Sequence, residues 1–463
     1  MMKFIFFIAC FLPASASFAQ PHKNNRLSHT SDSIIIKKIS DEVMIRSTAY
    51  ENLRYLCKKI GPRLSGSDNA TKAIYATAQM LRDAGADTVY LQPCLVPRWI
   101  RGAKETGYYI SKGKKYPLRL TALGNSEGSK GKFTEGEIAE VKSMAELKKL
   151  NTTVKGKIVF FNIPMDPTNI RTFESYGESG AGRRAGAAEA ARYGAIGVLV
   201  RSLASNADDH PHTGTTVYND SFPKIPAAAI STNDANRLSN IIRSGENPRG
   251  FFKTNSAMLG NVPSYNVIGE IKGSVFPEQI IIVGGHLDSW DLGEGAQDDG
   301  AGVVQSIEVI RAIRATGLKP KRTIRAVLFM NEENGGGGAD AYLREAKQKK
   351  EQHLFALESD GGGYTPRGFS LDMAEVKKGV IRSWASLFID YGVYDFTNTG
   401  SGADIGPLKE IGTALAGLLP DSQRYFDLHH TEMDVFEAVS KRELDLGAVN
   451  MTALIWLVSE YGL

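Results

Sequence analysis

The chain has 463 residues, 42% of them hydrophobic and 23% charged, with 55 Lys and Arg against 51 Asp and Glu. That length and apolar share are enough for two or three domains with cores of their own, without a disulfide framework. A formal charge of +4 with no long basic run excludes a general nucleic-acid binder, and past residue 20 no apolar run is long enough to span a bilayer.

Residues 1–20 begin with Lys3, continue as an apolar core over 4–12, and end in Ser17-Phe18-Ala19. This is the pattern of an export signal cleaved after Ala19, and it predicts a secreted or periplasmic protein. Cleavage would remove Cys10 and leave Cys57 and Cys94, two cysteines that could pair. Residues 21–33 are polar and read as disordered. Leu53, Leu56, Cys57 and Ile60 then fall at helical spacing ahead of Gly61-Pro62. Ile74, Ala78 and Leu81 mark a second helix that stops at Gly85, and a strand follows over 88–91.

Residues 122–258 change character. Short β-rich runs lie at 157–161, 197–200 and 225–230, with an Ala-rich helix over 184–193 and long polar loops. This predicts a small β-rich unit inserted into a larger domain built from 20–121 and 259–463. His210 and His212 read as members of an exposed loop, and 347–350 as the solvated end of a helix.

From residue 264 strands and helices alternate, which predicts an α/β fold: a mixed, mostly parallel sheet flanked by helices. Strands are expected over 280–283, 323–330 and 354–357. A helix carries Val303, Ile307 and Ile310, and another closes the chain over 444–461. Sheets of this kind bind ligands beyond the carboxyl ends of their strands. The first strand runs into His286-Leu287-Asp288-Ser289-Trp290, with Asp298-Asp299-Gly300-Ala301-Gly302 soon after. The second ends in Asn331-Glu332-Glu333-Asn334 and four glycines, the third in Glu358-Ser359-Asp360-Gly361. His429-His430-Thr431-Glu432-Met433-Asp434 lies near the C-terminus. One acidic pair at a strand end is usually a helix cap or a solvated loop. Four such places on successive elements gather carboxylates that a cation must neutralise. His with Asp and Glu suits zinc best, ahead of manganese or cobalt.

These stretches, in this order and preceded by Ile60-Gly61-Pro62-Arg63-Leu64-Ser65-Gly66-Ser67, resemble the co-catalytic dinuclear zinc exopeptidase family that includes the aminopeptidase Y-like enzymes. The resemblance implies two zinc ions per chain, one on His286 and Asp360, the other on Glu333 and His430, with Asp298 bridging. It implies that Asp288 orients His286, that Glu332 is the general base, that His429 is a wall or substrate contact, and that Asp404 is support. The implied chemistry is peptide hydrolysis by a water that two metals activate, with Glu332 carrying its proton to the leaving amine. The implied substrate is a short peptide, above all a dipeptide, with aminopeptidase action on longer peptides as the alternative. The resemblance also implies that the insert is a protease-associated domain and that the protein forms a homodimer. A non-catalytic receptor-like relative is disfavoured because every ligand position and the base are competent. A single-zinc glutaminyl cyclase-like transferase is disfavoured by the long insert and the second set of ligands.

Overall fold

The structure, a computed structural model, describes residues 25–463. The signal-like segment with Cys10 lies outside the described residues. The polar stretch expected to be disordered is instead helical from residue 25, within the helix Asn25–Arg46. Its Ile36, Ile39 and Val43 are buried against the core that includes the closing helix Lys441–Tyr461. The Tyr461 hydroxyl also donates to buried Asp32 at 2.8 Å. Docking of this kind orders a helix that local composition alone does not announce. The helices Ala49–Tyr55 and Asp68–Asp83 follow, the first extended by a wider turn, Leu56–Ile60. Cys57 and Cys94 are buried and unpaired, and burial pushes each thiol up to about 12.

Strand β1 (Thr88–Ile100) leads out of the first unit into a second sheet. That sheet opens with β2 (Thr106–Ser111), β3 (Lys114–Leu118) and β4 (Leu120–Ala122). It continues with β5 (Thr134–Val141), β6 (Ile158–Phe161), β7 (Gly197–Arg201), β8 (Ala227–Ile230) and β9 (Arg249–Lys253). The spatial order is β3-β2-β9-β5-β6-β7-β8-β4. Strand β2 pairs with β3 and β9, so this sheet draws on residues from 106 onward, ahead of the change in composition at 122. Its side chains alternate between two cores: Val159 and Phe161 pack with Ala187 and Ala190, while Phe160 packs with Leu238.

The chain returns along β10 (Ala257–Ile271), antiparallel to β1 from Thr88↔Glu270 to Ile100↔Ala257. Then come β11 (Phe276–His286), β12 (Arg322–Phe329), β13 (Gln352–Glu358), β14 (Pro366–Asp372) and β15 (Ala414–Pro420). The first sheet is ordered β1-β10-β12-β11-β13-β15-β14. Only β12, β11, β13 and β15 run parallel; the pairs β1–β10, β10–β12 and β14–β15 are antiparallel. The expected mostly parallel sheet is therefore evenly mixed. For one of the three antiparallel pairs the reason is topological: β1 and β10 are the outgoing and returning limbs of one excursion, and limbs that pair in this way run antiparallel. Within the parallel centre, Ile281 and Val283 face the helices Ala301–Ala315 and Lys441–Tyr461, and Ile280 and Ile282 face the other side with Tyr342. Burial on both faces accounts for the continuous apolar run in β11. Among the described residues no helix is long and apolar enough to cross a membrane.

Candidate metal centre

The carboxyl ends of β11, β12 and β13 lie side by side and open onto one cluster of acids and imidazoles. His286 closes β11 and is almost fully buried. Its Nδ1 lies 3.0 Å from the main-chain carbonyl of Asp288. A proton on Nδ1 donated there leaves Nε2 with a free lone pair. That Nε2 lies 3.1 Å from Asp298 Oδ1 and 3.4 Å from Asp360 Oδ1. The Asp288 carboxylate stands 3.9 Å from the imidazole. Its Oδ1 instead accepts the main-chain N–H of Asn331 at 2.6 Å and of Glu332 at 3.1 Å. Asp288 thus meets His286 Nδ1 with its main-chain carbonyl and the backbone just beyond the neighbouring strand with its side chain.

The loop before helix Ala301–Ala315 carries Asp298 and Asp299. Asp434 holds it: one carboxylate oxygen accepts from Ala296 and Gln297 at 3.1 and 2.7 Å, the other from Asp298 at 3.2 Å. Asp299 accepts the N–H of His286 at 3.0 Å and of Gly302 at 2.9 Å. A Cβ on Gly302 would lie 1.9 Å from the Ser359 carbonyl, so only glycine lets this helix start against the strand end that bears Asp360.

On the other side of Asp298, His430 Nε2 lies 3.2 Å from Asp298 Oδ2 and 3.1 Å from Glu333 Oε2. Its Nδ1 faces the Thr213 carbonyl at 3.3 Å, and Thr213 N–H donates to the His430 carbonyl at 3.0 Å. Thr215 Oγ1 donates to the Glu333 carbonyl at 2.5 Å. This loop of the second-sheet unit was expected to be exposed. His212 within it is instead buried, and burial pulls its imidazole down to about 3. The loop's polar backbone is spent on the turn around His430 rather than on water. His210 is half-buried and pairs with Glu432 at 2.8 Å. His429 stacks on His430 with ring centroids 3.5 Å apart, walled by Tyr176, Tyr425 and Phe426. Burial, then the neighbouring His430, hold His429 well below the usual imidazole range.

Among the described residues, three sets of ligand atoms lie within 4.8 Å of one another: His286 with Asp298 and Glu333, His286 with Asp299 and Asp360, and Asp298 with His429 and His430. The five expected ligands all fall in these sets, together with Asp299 and His429, for which sequence reasoning assigned no ligand role. Glu332 falls in none of them. Burial pushes its carboxyl well above the usual range; Asp360, Glu333 and Asp298 add to the effect and His286 opposes it. Burial, then Asp298, raises Glu333 to about 7, and its Oε1 is buried without a donor. Burial opposes charge on His286 and His430, yet Asp360 and Asp298 around the first, and Glu333 and Asp298 around the second, raise both well above the ordinary value. A cluster with more carboxylates than imidazoles, in which Asp298 Oδ2 and Glu333 Oε1 are buried without a hydrogen-bond donor, fits a divalent cation held by nitrogen and oxygen donors.

Two supports escaped the sequence reading. Arg63 is wholly buried, and its guanidinium donates to the carbonyls of Leu287, Glu294 and Gly295 at 2.9, 2.7 and 2.8 Å. Nothing in the local sequence marks it. Asp434 was signalled by its nearness to the histidine pair. Asp404 is buried behind Glu358, whose carboxylate accepts from Asp404 and Ile405 N–H at 3.4 and 2.9 Å. A cavity of about 620 Å³ opens beside Asp360 and Glu358, bounded by Arg171 and Phe173 of the second-sheet unit and by Arg367 and Asn398 of the first. That volume suits a small ligand.

Residues 266–455 match the profile of peptidase family M28. The chain is 35% identical over 416 residues to carboxypeptidase Q of Homo sapiens, covering 90% of this chain and 85% of that one. It is 34% identical to carboxypeptidase Q of Bos taurus over the same shares. Among solved structures, a peptidase M28 precursor of Shewanella amazonensis aligns with a TM-score of 0.88 at 30% identity, over 93% of this chain and 97% of that one. BSAP, a zinc aminopeptidase from Bacillus subtilis, aligns with a TM-score of 0.63 at 21% identity, over 89% and 94%, a likeness of fold.

Proposed function

The chain belongs to peptidase family M28, and from that premise we propose that it is an exported di-zinc exopeptidase that hydrolyses short peptides, dipeptides above all. One observation carries this reading: two imidazole Nε2 atoms, each with a carboxylate of its own, converge on opposite oxygens of Asp298. His286 and Asp360 would hold one ion and Glu333 and His430 the other, with Asp298 available to both. Bound there, the two ions supply Lewis acidity and lower the pKa of a water from 15.7 towards ~7.

The chain's own groups do the rest. Glu332 stands beside the ligands without joining them, takes a proton from the attacking water and returns it to the leaving amine. Asp288 keeps Glu332 in place through its N–H. The second-sheet unit acts as a protease-associated domain that walls the peptide cavity with Arg171 and Phe173. The likeness to carboxypeptidase Q and a cavity of this size favour a short peptide.

The test is metal analysis of the purified protein together with dipeptides whose termini are free or blocked. Two zinc ions per chain are expected, with turnover that needs both free ends. Cleavage of amino-blocked peptides alone would make it a carboxypeptidase, and cleavage of carboxyl-blocked peptides alone an aminopeptidase. No turnover with zinc, cobalt or manganese would overturn the peptidase reading.

A further inference from the structure

Resting on the two-ion reading above, the two ligand pairs differ in which part of the chain holds them. His286 and Asp360 follow adjacent strands, and the acceptor for His286 Nδ1 is the Asp288 carbonyl two residues further on. Glu333 and His430 lie on irregular backbone. Asn331, two residues before Glu333, has φ +76°, and His430 itself has φ +63°. Both lie in the left-handed region, which Asn and His enter more readily than most residues but which still needs local contacts to hold it. Asn331 is held by Asp288, which accepts its N–H, and by Ser65 and Asn334, which accept from its side-chain amide; residues 213–215 of the second-sheet unit supply Thr213 to both the imidazole and the backbone of His430, and Thr215 to the carbonyl of Glu333. The loop is itself anchored. Thr213 Oγ1 donates to the Ala122 carbonyl at 2.8 Å, and Gly124 exchanges main-chain bonds with Gly214 and Thr216 at 3.0 and 2.9 Å. A Cβ on Gly124 would lie 1.8 Å from the Trp290 ring, so the two units meet here without slack.

We infer that loop 213–215 is a positioning device for the Glu333–His430 pair, which sets the affinity of that metal site and leaves the His286–Asp360 site to the sheet. The Thr213 carbonyl selects the tautomer that offers Nε2 and raises its basicity, as an outer partner of a metal-binding imidazole does. The Thr215 hydroxyl fixes the peptide plane from which the Glu333 side chain projects. Ligands ordered before the ion arrives lose less freedom when it binds.

The test is zinc titration of the metal-stripped full chain against a chromogenic chelator. Wild type should bind two ions. Thr215→Val should weaken one step by about tenfold, the low end for loss of an outer partner, and leave the other within about twofold. Thr215→Ser should restore the weakened step, because it keeps the hydroxyl. The Thr215→Val effect should vanish in a Glu333→Gln background and persist in Asp360→Asn. Equal weakening of both steps, no change in either, or no rescue by serine overturns the inference while the two-ion reading stands. Loss of folding in both Thr215→Val and Thr215→Ala also overturns it, since the loop would then be a general stabiliser. A wild type that binds one ion or none overturns the two-ion reading itself.

Discussion

The His286 side of the centre and the His430 side present similar donors on unlike backbones. His286 ends a strand hydrogen-bonded to neighbours on both flanks, so the ladder delivers its position. His430 sits in a turn with positive φ and no ladder, and its position comes from separate polar contacts with a unit more than two hundred residues earlier in the chain. Regular structure places a ligand as a by-product of pairing. Irregular structure needs a contact for each degree of freedom, and each contact is a separate point of failure.

The comparison breaks most sharply at a residue on neither side. Glu332→Gln should lower kcat by about a thousandfold while both ions remain, since general acid–base groups contribute typically 10²–10⁴-fold. An active variant would remove Glu332 from the role of base, as steady-state kinetics with metal analysis would reveal. Chelation comes next. Removing ions held at a thousand times their Kd should cost about 4 kcal/mol of stability by mass action. If the two sides differ as described, amide exchange should rise more around residues 429–434 than around 284–288; an equal rise would erase the distinction.

Arg63→Met probes the strand side. Three buried carbonyls would lose their donors together, at a cost of about 3 kcal/mol in denaturant unfolding. Asp434→Asn bears on Asp298, which serves both sides, and should cost about 2 kcal/mol through weakened charge-assisted bonds to three N–H groups. His353 provides a remote control. It is buried beside the Tyr342 hydroxyl at 2.9 Å, and burial lowers its imidazole from 6.5 to about 4. The folded chain keeps it neutral while the unfolded chain protonates it first. Its contribution is therefore complete above pH 6.5 and lost as pH falls towards 4. His353→Gln should flatten that fall in the melting temperature, by the equivalent of somewhat under about 2 kcal/mol at pH 5. An unchanged slope would show that other groups carry it.

The strand side was the legible one. An apolar run ending in His286-Leu287-Asp288 reports a buried strand and the chemistry at its tip in one stretch of sequence. Glu333 and His430 were visible as residue types, but what holds them was not. Thr213 and Thr215 act through a main chain and a single hydroxyl, and a polar loop with two histidines looks solvated from sequence alone. Asp288 was expected to orient His286; its carbonyl lies 3.0 Å from the imidazole, and what the sequence did not announce is that its carboxylate also accepts from Asn331 and Glu332. The first helix and the antiparallel flank were missed for a related reason, because each is decided by a distant partner, Tyr461 for the one and the β1–β10 excursion for the other.

The contact between Thr213 and His430 also has a consequence in time. These residues are 217 positions apart, and the second-sheet unit, with cores of its own, precedes most of the first sheet in the chain. During synthesis that unit can collapse while β11 to β15 are still unmade, because domains generally fold as units from the N-terminus. The His430 side must wait until almost the whole polypeptide has emerged and one long loop has closed. On the proposed two-ion reading, a chain built in this order would stay inactive until the turn that carries His430 has emerged.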